Sequence, residues 1–152
     1  PPREGTSFLD LDGATGLLDT NYEGKVGAAL DFLDGKGNVV FVHVEAPDEC
    51  GHAGNVADKV EAIERFDARV VGPLMKAMQG RDAAWLVCCD HYTPIVERTH
   101  TTDPVPFVLN ARGVAASGAA GFSEETAALG PLIDHGHELL PFALEQAGET
   151  LP

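Results

Sequence analysis

Two carboxylates and three imidazoles lie in three short stretches of this 152-residue chain: Asp48 and His52 in PDECGH, Asp90 and His91 in CCDH, and His100 in ERTHTTDPVP. Borderline-hard divalent ions such as zinc and manganese take mixed oxygen and nitrogen donors of this kind. Two such ions a few ångströms apart clamp the attacking and leaving oxygens of a phosphoryl group. Taken singly, an Asp-His pair in a loop is more often surface decoration or a cap than a ligand. Taken together, the five donors point to a two-metal phosphoryl-transfer site, provided that the fold brings the three stretches to one place.

The elements that must position them are legible as alternating helices and strands. NVVFVHVEA, residues 38–46, is apolar and β-branched, with GKG before it and Pro47 after it, and reads as a buried strand. AAWLVCC, residues 83–89, reads the same way, and VPFVLNA, residues 105–111, is a third strand. Asp48 and His52 follow the first run, Asp90 and His91 follow the second, and His100 lies in the loop entering the third. Open α/β sheets place their ligands past the carboxyl ends of strands, so three loops are expected to converge at one sheet edge. Between the first two strands, residues 57–78 carry Val60, Ile63, Phe66, Val70, Leu74 and Met78 near the helical period, as the core stripe of a crossover helix. Pro73 removes a backbone donor from that helix, so a kink or restart is expected near Gly72. YEGKVGAALDFLDG is a helix before the first strand, with Val26, Leu30 and Leu33 on one face and Gly35 at its end. HELLPFALEQAG closes the chain as a helix with Pro141 in its first turn, and GVAASGAAG is a solvated loop.

At this length the chain buries roughly two thirds of the surface it would expose when extended, enough for a single domain over residues 1–152. The net charge of −14 repels nucleic acid and anionic membrane surfaces, and an anionic substrate would need metal ions or supplied basic residues. No apolar run is long enough to span a bilayer, and PPREGTSFLD has no signal-peptide core. Three cysteines are an odd count, and adjacent Cys88 and Cys89 in a strand face opposite ways, which argues against a disulfide framework and for a reducing cytoplasm. Cys50, between Asp48 and His52, reads as an inert loop thiol more readily than as a soft ligand. His43 is a neighbour for the ligands or a buried core histidine, Glu45 and Glu49 are candidates to orient ligands, Arg98 is a candidate phosphate contact, and His135 and His137 flank Gly136 in an exposed turn.

GATGLLDTNYEGK, VHVEAPDECGHAGN, AIERFD with VVGPL, DHYTP and HTTDPVPFVL, in this order over residues 12–147, resemble successive blocks of the archaeal-type cofactor-independent phosphoglycerate mutases of the alkaline phosphatase superfamily. The resemblance implies an α/β fold, a helix-sandwiched and mostly parallel sheet within an alkaline phosphatase-like core. It implies two divalent ions, manganese or zinc with magnesium or cobalt as alternatives. By position, Asp48, His52 and His100 would bind one ion, and Asp90 with His91 the other. The family completes the second site with an aspartate and the nucleophilic serine from its N-terminal part, and neither block is recognisable here, nor is the family's inserted substrate domain. The chain is therefore expected to be the C-terminal, metal-binding portion of a longer protein, inactive alone and partnered by the missing N-terminal part. The family reaction interconverts 3-phosphoglycerate and 2-phosphoglycerate through a phosphoserine. Similar sequences have been labelled homoserine kinase or phosphonopyruvate decarboxylase, and a related phosphotransferase, a phosphohydrolase or a catalytically inactive metal-binding module is the alternative. FLDLDGATG also resembles the nucleophile loop of haloacid dehalogenase-type phosphatases, with Asp10 and Asp12. That reading fails for want of the downstream acidic pair, and LLDTNYEGK fits the mutase block better.

Overall fold

A computed structural model of the chain describes residues 8–35 and 37–148, so most of the stretch read above for a leader lies outside the described residues. The chain divides into two compact units, Pro1–Gln79 with Thr93–Thr99, and Gly80–Tyr92 with His100–Pro152.

The first unit opens with the GATGLLDTNYEGK block, a loop tied to the start of helix α1 (Tyr22–Gly35). Asn21 caps that helix by accepting from the Gly24 N–H at 2.8 Å, while its amide donates to the Asp12 carbonyl at 2.9 Å. Thr20, 1 % exposed, accepts from the Thr15 N–H, and fully buried Tyr22 donates to the Leu18 carbonyl. Val26 and Ala29 complete the buried face, with Leu30 and Leu33 half-buried beside them.

Helix α2 (Ala46–Ala53) is followed by α3 (Val56–Phe66), a π-helical turn (Asp67–Val71) and α4 (Gly72–Ala77). The crossover helix is thus interrupted where Pro73 requires it. The Gly72 N–H reaches back five residues to the Asp67 carbonyl, and this wider turn precedes a residue that has no N–H to continue the ladder. The core stripe is only partly the expected one. Val70 and Leu74 are buried, but Val60 and Ile63 are about half exposed, because α3 turns Ala62 toward α2. Ala46, Cys50 and Ala62 form a core cluster with Leu18 and Val44 against it, and these small residues let the two helix backbones approach closely.

Arg69, from the π-turn, holds both Glu23 carboxylate oxygens at 2.6 Å and lies over the Tyr22 ring, 4.6 Å from its centroid. The Arg69 hydrogen bond pulls the Glu23 carboxyl from 4.5 down to about 2. A depressed carboxylate stabilises the fold above its ordinary value and loses that contribution as the pH falls toward the folded one. Glu23→Gln is therefore expected to lower the urea midpoint at pH 7, and the gap from wild type should close as the pH approaches 2. A gap that persists in acid would show that the pair contributes through packing instead.

The run 39–45 forms no strand. Nothing among the described residues pairs with it, and Val39 and Phe41 are 64 % and 83 % exposed. A β-branched run becomes a strand only beside a second backbone. Exposure alternates along it, with Val40, Val42 and Val44 on the half-covered side, so the period of two that the sequence encodes survives without the ladder.

In the second unit, β1 (Trp85–Cys88) and β2 (Phe107–Asn110) lie inside the two runs read as strands. They pair antiparallel, with Trp85 opposite Asn110 and Cys88 opposite Phe107, so the parallel pairing expected from the resemblance is not seen among the described residues. The Phe107 ring packs edge-on against Phe142 at 6.1 Å, which seats helix α6 (Leu139–Gln146) on the pair. Pro141 is in the first turn of α6, as expected, after a 3₁₀ turn at Gly136–Glu138. Helix α5 (Glu124–Ala127) starts on a capping box between Ser123 and Thr126, and residues 113–120 are irregular and largely exposed.

Candidate functional site

Pro47 and Gly54 decide the shape of the first ligand stretch. Proline has a fixed φ and no N–H to lose in a first helical turn, so PDECGH runs as helix directly after Glu45. Gly54, at φ 71°, ends it: its N–H reaches the Gly51 carbonyl and the Asn55 N–H the Cys50 carbonyl, both at 3.0 Å. Asn55 then caps α3 by accepting from the Asp58 N–H. Asp48 and His52 are therefore not loop residues past a strand, as the sequence reading has them, but neighbours four apart on one helix face.

Their geometry is that of a donor set. His52 Nδ1 lies 3.0 Å from the Arg98 carbonyl oxygen. A carbonyl only accepts, so Nδ1 is the donor of this contact. Nε2 of the same ring lies 3.4 Å from Asp48 Oδ2. A mixed nitrogen and carboxylate pair at this spacing is a donor set that zinc or manganese takes, and it is also the geometry of a direct His–Asp ion pair. The remaining Asp48 oxygen, Oδ1, accepts from the Thr93 hydroxyl. Thr93 is 3 % exposed, and its carbonyl accepts from Lys59 Nζ at 2.5 Å. Thr93 and Lys59 thus fix the Asp48 rotamer, a role the sequence reading misses. DHYTP contains the threonine, but its partner is 45 residues away and leaves no local periodic signal.

Cys50 is in the helix rather than in a loop. It is buried against Ala46 and Ala62, and burial pushes its thiol up, which keeps it a protonated core residue. His43 is half exposed, 3.7 Å from Glu45 Oε1 and stacked on Phe41, and is not the buried core histidine that was one expectation.

In the second unit, Asp90 and His91 follow β1 after Cys89, past the strand end where the sequence places them. The His91 N–H donates to Asp90 Oδ1 at 3.2 Å, and its Nε2 is 3.5 Å from Asp90 Oδ2. An isolated antiparallel bridge joins Tyr92 to Thr101, the residues after His91 and His100, with Thr101 N–H donating to the Tyr92 carbonyl at 3.0 Å. The two imidazoles stack with centroids 3.6 Å apart. Beside them, Thr101 Oγ1 is a buried polar atom with no hydrogen-bond partner among the described residues. His135 and His137 are exposed in their turn, as expected, and stack on each other at 5.6 Å.

Among the described residues no helix is long and apolar enough to cross a membrane. Residues 4–141 match the model of the metalloenzyme superfamily. The chain is 48 % identical over 128 residues to the 2,3-bisphosphoglycerate-independent phosphoglycerate mutase of Methanothrix thermoacetophila, covering 83 % of this chain and 32 % of that protein. It is 47 % identical over 125 residues to the enzyme of the same name from Methanosarcina acetivorans, covering 80 % and 31 %. The PH0037 protein of Pyrococcus horikoshii superposes with a TM-score of 0.85 at 27 % identity, over 97 % of this chain and 44 % of that one. The chain spans about a third of the length of the curated relatives it matches. It belongs to the metalloenzyme superfamily, with that superfamily's alkaline phosphatase-like fold, and is similar to part of the 2,3-bisphosphoglycerate-independent phosphoglycerate mutases.

Proposed function

We propose that this chain is the metal-binding part of a cytoplasmic phosphoglycerate mutase interconverting 3-phosphoglycerate and 2-phosphoglycerate, with Asp48, His52 and His100 holding one divalent ion and Asp90 with His91 contributing to a second. The observation that carries the reading is the Asp48 and His52 pair, a carboxylate oxygen and an imidazole nitrogen 3.4 Å apart on one helix face, with the Thr93 hydroxyl on the other Asp48 oxygen and the Arg98 carbonyl at His52 Nδ1. His100 follows Thr99 in the chain, two residues beyond that carbonyl, and its ring stacks on His91. The names of the relatives supply the substrate class.

When bound, two divalent ions lower the pKa of a coordinated hydroxyl and offset charge on a transferred phosphoryl group. The residues of this chain orient the donors: the Thr93 hydroxyl fixes Asp48, the Arg98 carbonyl meets His52 Nδ1, and the Tyr92 to Thr101 bridge joins the residues that follow His91 and His100. The nucleophilic serine, with the residues that select the substrate, is assigned to the rest of the protein.

A coupled assay of the whole protein with 3-phosphoglycerate and manganese tests the proposal. Turnover to 2-phosphoglycerate is expected, with loss in His52→Ala and none from the 152-residue chain alone. Phosphohydrolase or kinase activity without mutase turnover would reassign the substrate, and robust turnover by the isolated chain would overturn the division of labour.

A further inference from the structure

Arg98 is the one residue other than glycine with a positive φ among the described residues, at 53°. Left-handed backbone is unfavourable for a side chain with a Cβ and persists only where the surroundings impose it. Three contacts within the first unit impose it. The Arg98 N–H donates to the Pro94 carbonyl at 2.8 Å, closing the turn. The Arg98 carbonyl is the partner of His52 Nδ1 at 3.0 Å. The guanidinium lies over Gly54, where a Cβ would stand 2.5 Å from Nε, so the side chain uses the space that the helix-ending glycine leaves open. The strained turn, the glycine and the histidine make one device at the C-terminal end of α2.

We infer that Arg98 is a positioning residue for His52: its left-handed backbone aims a carbonyl at Nδ1, fixes the proton there, and leaves the Nε2 lone pair beside Asp48 for a divalent ion. The inference rests on the metal reading of Asp48 and His52 given above. It assigns the role to the backbone of Arg98 and makes the guanidinium only an anchor. A direct phosphate contact by the side chain would give the opposite ranking of variants, because glycine adopts the required φ without strain while β-branched valine resists it.

The test uses the 152-residue chain, zinc titration calorimetry and nitrogen-15 NMR of the histidine rings. In the metal-free wild type, His52 should show the proton on Nδ1. Arg98→Gly should keep that tautomer and a zinc affinity near wild type, whereas Arg98→Val should lose the single tautomer and bind zinc about 10- to 100-fold more weakly, the range for losing an outer partner of a ligating histidine. Gly54→Ala, which displaces the guanidinium, should fall between them. A wild-type His52 protonated on Nε2 would overturn the inference without any variant, which covers the case in which Arg98→Val does not fold. Equal losses in Arg98→Gly and Arg98→Val would overturn it in favour of the side chain. Zinc binding that survives His52→Ala would instead overturn the metal reading, and the tautomer of the metal-free chain would still decide the positioning role.

Discussion

Titration of the 152-residue chain with manganese or zinc is expected to show one binding event appreciably tighter than any other, abolished by His52→Ala and largely spared by His91→Ala. The asymmetry follows from counting donors. In the proposed assignment Asp48, His52 and His100 are all in this chain, and three protein ligands with one position left open is the usual arrangement of a catalytic zinc. Asp90 and His91 supply only two donors of the second site. Losing an outer partner of a metal-bound histidine already costs 10- to 100-fold in affinity, so removing the imidazole itself should cost roughly 100-fold or more. Alanine is the best helix former, and Asp48 keeps its Thr93 bond in the variant, so α2 should persist and the loss should report on the ligand. Calorimetry decides: two equal sites, or tight binding that survives His52→Ala, would show that the donors are divided wrongly.

The types of these donors were legible in the sequence, and their local setting was only half so. CCDH sits where a strand-end reading puts it, because β1 is a four-residue apolar run with a partner to pair with. PDECGH does not. Pro47 after an apolar run reads as the end of a strand, yet a proline early in a helix is also a start signal, and the spacing of four between Asp48 and His52 is itself a helical pattern. The run before it kept its alternation and lost its ladder, because pairing belongs to two segments and cannot be read from one. The break at Gly72 and Pro73 was legible because it depends on a missing N–H, a property of one residue. The support of the site was not. Thr93 holds Asp48, and Arg98 holds His52, across 45 and 46 residues respectively, and neither contact leaves a local pattern.

That hidden support makes one glycine far more sensitive than helix propensity implies. Gly51 is buried in the middle of α2, and a Cβ there would fall on the Thr93 carbonyl oxygen, with Lys59 Nζ and Thr93 Cγ2 both 2.9 Å away. Glycine to alanine in a helix interior is worth about 1 kcal/mol in favour of alanine on propensity alone. Overpacking a close contact costs roughly 1–3 kcal/mol, and displacing Thr93 also strains two hydrogen bonds to charged groups, worth roughly 1.5–3 kcal/mol each when lost. The unfavourable effects exceed the propensity gain, so Gly51→Ala should destabilise the chain by about 2 kcal/mol or more and weaken metal binding, because the Asp48 carboxylate loses the hydroxyl that aims it. Gly27 in α1 supplies the control. It is exposed and helical, and a Cβ there meets nothing within 4 Å. With no packing term to oppose propensity, Gly27→Ala should stabilise by roughly 0.5–1 kcal/mol and leave metal affinity unchanged. Urea unfolding and zinc titration of both variants give two signs each. If Gly51→Ala proves as stable as Gly27→Ala, Thr93 is not seated against α2 and the support assigned to Asp48 fails with it.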